Sequence, residues 1–346
     1  MAKENGFSIW KLIANLRTFI ALIIVVVFFS VEVPTFTTPT TIRVLVKHAG
    51  RYAILAMGQA YVILTAGIDL SVGSLVGIVG MIAGYLLERG LGLPMFGVKV
   101  FFDVWVVVLI CLAAGAFLGA VNGFFITEFG IAPFIVTLGM LYIARGFASL
   151  ISNGETFAHV SGYREFPGTS GFRLLGSGIA GGVYYSIWIM FALLLLATYI
   201  ARRTPLGRHV YAVGGNEEAA RLSGIQTNRV KMFVYMFSGF AAALAGLIFA
   251  SELMTAHPAR GTGLELSAIA AVVLGGTSLM GGRGTIWGAV VGAFVISVLN
   301  DGMAMMGISW YWQQVVRGSV IVLAVLVNRL QQRLERRRAL REALQE

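Results

Sequence analysis

The chain has 346 residues, 58% of them hydrophobic and 12% charged, and 26 Lys and Arg against 16 Asp and Glu give a net charge of +10. Soluble domains carry about 25% charged residues, so a water-soluble fold is excluded and most of the apolar surface must face lipid or other membrane helices. The 43 glycines lie inside apolar runs, which excludes collagen and flexible linkers; small residues there let membrane helices approach closely.

In chain order, about ten apolar segments of membrane-spanning character follow one another. Their cores are residues 19–31, 53–68, 72–87, 104–127 and 131–151, then 187–201, 232–250, 268–279, 286–299 and 315–327. Several are shorter than the roughly 20 residues of a full span, which predicts some broken or re-entrant helices. Only residues 67–71 separate the second run from the third. No alternating barrel pattern of ten-residue strands occurs, so the spans are helices. The first run has no small-residue cleavage site behind it and reads as a retained span. The single Cys111 offers neither a disulfide framework nor a thiol metal site and reads as a small apolar filler.

The two halves echo each other. Gly67-Ile68-Asp69-Leu70-Ser71 answers to Gly263-Leu264-Glu265-Leu266-Ser267, residues 118–125 answer to residues 287–294, and Arg145-Gly146 answers to Arg317-Gly318. The copies lie 196, 169 and 172 residues apart, in the same order. The Gly67 and Gly263 copies precede spans three and eight, an odd offset, so the halves enter the membrane in opposite senses: spans 2–5 and 7–10 form an inverted repeat, a signature of transporters. Gly115, Gly119 and Gly123, and likewise Gly284, Gly288 and Gly292, recur every four residues, and each row reads first as a flat stripe for tight helix packing.

Basic residues set the orientation. Lys3, Lys11 and Arg17 open the chain, Arg202, Arg203, Arg208, Arg221, Arg229 and Lys231 lie between spans six and seven, and six arginines lie in the tail at 329–346. With ten spans all three groups fall on one side, the cytoplasm, and the positive charge is a topology signal, not a nucleic-acid footprint. Arg43, Lys47 and Arg51, between the first two runs, violate the rule. In the 202–229 loop, Asn216 is placed to cap a short helix over residues 217–222, with Glu217 and Glu218 in its first turn and Gly224 as its stop. Such a helix suits docking into a partner, and an ordinary surface helix has the same pattern.

The chain resembles the permease subunits of bacterial ATP-binding-cassette sugar importers of the ribose, galactose, arabinose and xylose branch. The resemblance rests on residues 67–74 (GIDLSVGS), 133–139 (PFIVTLG), 212–220 (AVGGNEEAA), 273–278 (VLGGTS), 281–285 (GGRGT) and 311–314 (YWQQ), six motifs in order from span two to the last span. It implies a second permease copy, a periplasmic sugar-binding protein and cytoplasmic ATPase subunits in the bacterial inner membrane. It also makes Gly214, Gly215, Asn216, Glu217, Glu218, Ala219, Ala220, Leu222 and Gly224 the element that couples to the ATPase.

Negative features agree. No Gly-x-x-x-x-Gly-Lys-Ser/Thr loop occurs, so ATP must be used by a partner. No His-Glu-x-x-His motif occurs, His48, His159, His209 and His257 are scattered over loops, and neither a metal nor a cofactor is expected. An ion-coupled carrier would need a buried titratable group; Asp69 and Glu265, at run edges, fit helix caps as well. An intramembrane enzyme would need a nucleophile–base pair, and none is found. A sugar path would use amides and hydroxyls, sparsely placed, and the candidates are Gln59, Asp69, Ser71, Asn122, Thr137, Glu265 and Ser267. Asn122 stands out because its repeat partner is the apolar Val291, although a buried Asn also serves as a helix–helix hydrogen bond. Arg145 and Arg317, costly within apolar runs, read as a structural or gating pair. The expectation is one all-α transmembrane permease domain over residues 1–346 that moves a monosaccharide by alternating access; the alternative is a branched-chain amino-acid permease.

Overall fold

The computed structural model describes residues 9–93, 95, 97–160 and 171–343, with side chains for residues 18–92, 95, 97–160, 171–326 and 330. Lys3 and the side chains of Lys11, Arg17 and the tail arginines lie outside them. The chain runs α1 Ile9–Glu32, α2 Pro39–Leu64, α3 Val72–Gly84 continuing as a π-turn over Tyr85–Arg89, α4 Val104–Glu128, α5 Pro133–Leu150, α6 Arg173–Ser177, α7 Tyr185–Arg203, α8 Pro205–Gly215, α9 Glu217–Leu222, α10 Thr227–Leu253, α11 Leu264–Leu274, α12 Ile286–Met305 and α13 Trp310–Ala343. Two small antiparallel hairpins, Leu91–Leu93 with Val98–Val100 and Ile179–Ala180 with Val183–Tyr184, are the strand content of the described residues.

Local chemistry sets the helix starts. The Thr38 hydroxyl accepts from Thr41 N at 3.3 Å ahead of Pro39, and Asp103 accepts from Trp105 N at 2.8 Å at the head of α4. Thr204 before Pro205 and Thr285 before α12 do the same for Gly207 N and Gly288 N. These caps satisfy amides that a helix start leaves open.

All ten apolar runs fall on helices, and among the described residues six helices are long and apolar enough to cross a membrane. Two boundaries differ from the sequence reading. α2 begins at Pro39, so Arg43, Lys47 and Arg51 are helical residues and not part of a connecting segment. It ends at Leu64, and residues 65–68 turn through Ala66 at φ 60°. The eighth run is shifted: α11 spans Leu264–Leu274, about 16 Å or half a bilayer core, and stops where Gly276 takes φ 88°.

α2 and α10 form the centre. Residues 53–64 of α2 are buried on every side, and a Cβ on Gly58 would fall on Ala241 Cβ and Ser238 Cα of α10. The α4 glycine row is a packing stripe: Gly115 lies against Ala243 and Gly239, Gly119 against Tyr235 O and Gly123 against Met232. In the second row Gly288 and Gly292 pack on Gly275 and Ala271, whereas Gly284 sits in the turn before α12, so that stripe has two helical members. Cys111 is buried. Outward faces carry Ile24, Leu109, Phe117, Ile143, Leu195 and Tyr199, the apolar belt a lipid-facing bundle requires. The repeated segments occupy matching helices: α3 and α11, α4 and α12, α5 and α13.

Candidate translocation site and the segment between α7 and α10

Residues 65–71, between α2 and α3, gather five of the seven candidate path residues into one buried network. Asp69 Oδ1 accepts from Ser71 N at 2.9 Å and from Ser71 Oγ at 2.6 Å. Its Oδ2 accepts from Ser238 Oγ at 2.7 Å. The Gln59 carboxamide bridges the Asp69 backbone, donating to its carbonyl at 3.1 Å and accepting from its N–H at 3.2 Å. From α4, Asn122 Nδ2 donates to Ser71 Oγ at 3.0 Å, and from α5 the Thr137 hydroxyl reaches Ile68 O at 3.2 Å. All five side chains are buried. Asn122 therefore does serve as a cross-helix hydrogen bond, although its Oδ1 and the nearby Tyr235 hydroxyl have no hydrogen-bond partner among the described residues.

Glu265 and Ser267 stand apart, at the start of α11. Glu265 Oε1 accepts from Gly263 N at 3.1 Å and Ser267 Oγ donates to Gly263 O at 3.1 Å. Glu265 also abuts Gly73, where a Cβ would strike its Oε2 and Gly261 O. The first turns of α3 and α11, one from each half, thus meet, each with a carboxylate at its positive dipole end. Asp69 and Glu265 each accept from a backbone N–H beside a helix start, while the N-cap residues of α3 and α11 are Ser71 and Gly263.

The two repeat-matched arginines turn inward without meeting. Arg145 Nη1 donates to Pro258 O at 2.7 Å and Arg260 O at 2.8 Å. Arg317 Nε donates to Asn300 Oδ1 at 3.2 Å, and its guanidinium lies 5.1 Å from the Trp310 ring centre. Each ties a peripheral helix, α5 or α13, to the second half of the fold. A Cβ added to Gly146 or Gly318, their chain neighbours, would meet nothing within 4 Å, and the same holds for Gly139.

Between α7 and α10, Asn216 Oδ1 accepts from Ala219 N at 3.0 Å and caps α9, and Gly224 at φ 84° ends it. Gly214 and Ala220 are buried, whereas Gly215, Asn216, Glu217, Glu218, Ala219, Leu222 and Gly224 are exposed, Leu222 at 82%. A hollow of roughly 300 Å³ lined by His209, Ile225 and Arg229 adjoins this surface. Lys231 Nζ reaches Glu217 at 2.5 Å. Burial pushes the Tyr211 phenol up, with Arg202 pulling the other way; it stays neutral and donates to Gly284 O at 3.0 Å.

Sequence reasoning missed a charged layer near the Pro39 end of α2. Glu252 of α10 takes Lys47 Nζ at 3.0 Å and Arg51 Nη1 at 2.5 Å, with His48 Nε2 at 3.6 Å. His48 Nδ1 lies 3.1 Å from Asp301 of α12. His48 is therefore not in a loop. The signal was present in Thr38-Pro39, a helix start that puts Lys47 and His48 about one turn before Arg51 on α2.

A family profile described as the branched-chain amino acid transport system / permease component matches residues 41–325. The ribose import permease protein RbsC of Haemophilus influenzae is 39% identical over 94% of this chain and 96% of its own length. The protein of the same name from Escherichia coli K12 is 41% identical over 91% and 94%. The xylose transport system permease protein XylH of Escherichia coli K12 is 33% identical over 94% of each. No solved structure matches the chain.

Proposed function

The chain belongs to this family of transport-system permease components, and from that premise we propose that it is the membrane subunit of an ATP-driven monosaccharide importer of the bacterial inner membrane. The observation that carries the reading is the near full-length similarity to proteins named for ribose import and xylose transport. The family's printed description would admit a branched-chain amino acid, but the relatives' names favour the sugar. Ribose and xylose are uncharged sugars rich in hydroxyls, which suits a path lined with hydrogen-bonding amides, hydroxyls and carboxylates.

The partners follow from the reading: an ATPase in the cytoplasm, a sugar-binding protein outside and a second permease. The basic residues around α8 and α9 support a cytoplasmic position for this segment and for both termini. The exposed face of α9, with Leu222 and two glutamates, supports docking of the ATPase there. Gly139 and Gly146 on α5 and Gly318 on α13 face open space, although glycine costs a helix about 1 kcal/mol relative to alanine. Small residues on an outward face admit a close partner helix, which supports packing of a second copy against α5 and α13. Head-to-head starts of α3 and α11 from the two halves support an inverted repeat, with Gln59, Asp69, Ser71, Asn122 and Thr137 on one side of the path and Glu265 and Ser267 on the other.

Co-purification from native membranes in mild detergent, with mass spectrometry, tests the reading. An ATPase and a periplasmic sugar-binding protein that stay bound support it. An ATPase-free oligomer that transports on an ion gradient contradicts it.

A further inference from the structure

The cytoplasmic segment touches both interrupted regions of the bundle at one point, and it does so through backbone. A Cβ on Gly214 would land on the carbonyl oxygen of Leu64, the last residue of α2, and 2.6 Å from Gly282 N in the α11–α12 turn. Those two groups are bonded to each other, Gly282 N donating to Leu64 O at 3.0 Å. Gly281 and Gly282 adopt φ 80° and 68°, conformations that glycine takes without strain. Side chains on them would strike Gly214 O, Ala66 N and Gly215 Cα. Tyr211, one turn earlier on α8, donates to Gly284 O in the same turn. Two of the sequence motifs, residues 212–220 and 281–285, are thus two faces of one contact.

We propose that Gly214 is the positioning residue through which α8 and α9 act on the interior: the end of α8, the α2–α3 turn and the α11–α12 turn move as one body. The inference rests on the importer reading and on ATPase docking at α9. Three backbones in van der Waals contact leave no compliant side chain to absorb a displacement, and close-packed interiors transmit strain. The Leu64 carbonyl, the shared contact, lies five residues before Asp69, whose carboxylate holds Ser71 and Ser238 together. Displacement of α8 therefore reaches the buried network through a turn of seven residues, 65–71. Proximity alone does not establish coupling, so the contact must be perturbed and the coupling read.

The test uses the complete importer, permease with its ATPase and binding protein, in proteoliposomes supplied with labelled ribose or xylose. Sugar moved per ATP hydrolysed is the readout that a merely structural role would not move. Gly214→Ala is expected to assemble, hydrolyse ATP and lose coupling at least tenfold. Tyr211→Phe, which keeps the ring and removes only the bond to Gly284, is expected to lose three- to tenfold and decides the matter if Gly214→Ala fails to assemble. Gly92→Ala, in the first hairpin with nothing within 4 Å, is expected to stay within twofold. Hydrolysis with wild-type coupling in Tyr211→Phe and in any assembled Gly214→Ala overturns this inference alone. A wild-type chain that binds no ATPase overturns the importer reading and this inference with it.

Discussion

Replacing Glu252 with Gln removes the charge at the hub of the buried layer and leaves two cations without it. The Lys47 and Arg51 side chains are each 9% exposed and Glu252 is 11% exposed, so solvent screens them little. At an effective dielectric of about 20, unit charges 2.5–3.0 Å apart attract by about 6 kcal/mol. Much of that is returned as desolvation, and removing one member of a buried pair costs about 3–5 kcal/mol net. At about 2 °C per kcal/mol for a chain of this size, the melting temperature falls by about 6–10 °C. Heating in detergent followed by size-exclusion chromatography measures this. The pairing also predicts coupling: Glu252→Gln with Arg51→Gln loses at least about 1 kcal/mol less than the sum of the single variants. A Glu252→Gln protein that melts within 1 °C of the wild type (roughly 0.5 kcal/mol at that slope), or strictly additive variants, would refute a hub role for Glu252.

Three further predictions concern the other parts of the molecule. Leu222→Asp removes the exposed leucine of α9; at about 1.5–3 kcal/mol for burying a leucine, ATPase affinity falls about 10- to 100-fold in a binding assay while the permease melts as before. Asp69→Ala orphans the Ser71 N–H and the Ser71 and Ser238 hydroxyls, which costs about 1–3 kcal/mol for each donor left unsatisfied, so its thermal midpoint falls more than that of Ser238→Ala. A Cβ at Gly146 would meet nothing within 4 Å, so Gly146→Leu is expected to fold as a protomer, and if a second copy packs on α5, mass photometry finds monomers for the variant and dimers for the wild type; an unchanged dimer would remove α5 from the interface.

The bundle was legible because lipid solvent demands long apolar helices, and that demand is written into the composition. The repeat was legible because Asp69, just before α3, and Glu265, in the first turn of α11, each sit in a Gly-x-acid-Leu-Ser string. Five path candidates converge because each is a polar residue at the edge or inside of an apolar run, where its outlets are another such residue or the open backbone of the turn between α2 and α3. Ser238 and Tyr235 were missed because they sit in an ordinary small-residue helix, α10, and acquire meaning only from what crosses it. The Lys47–Glu252 layer was missed for a related reason: its members lie 205 residues apart, and a charge next to an apolar run looks the same whether it faces water or a buried partner. Gly214 and Gly282 read as two separate motifs because backbone contact leaves no mark on side-chain pattern.

Uptake by proteoliposomes bearing the permease with its ATPase and binding protein tests the central claim most directly. An ATP-driven sugar permease accumulates labelled ribose or xylose only when ATP is supplied, stops when the ATPase is omitted and is untouched by leucine. Uptake of leucine in its place, or sugar uptake driven by an ion gradient with no ATPase present, would contradict it.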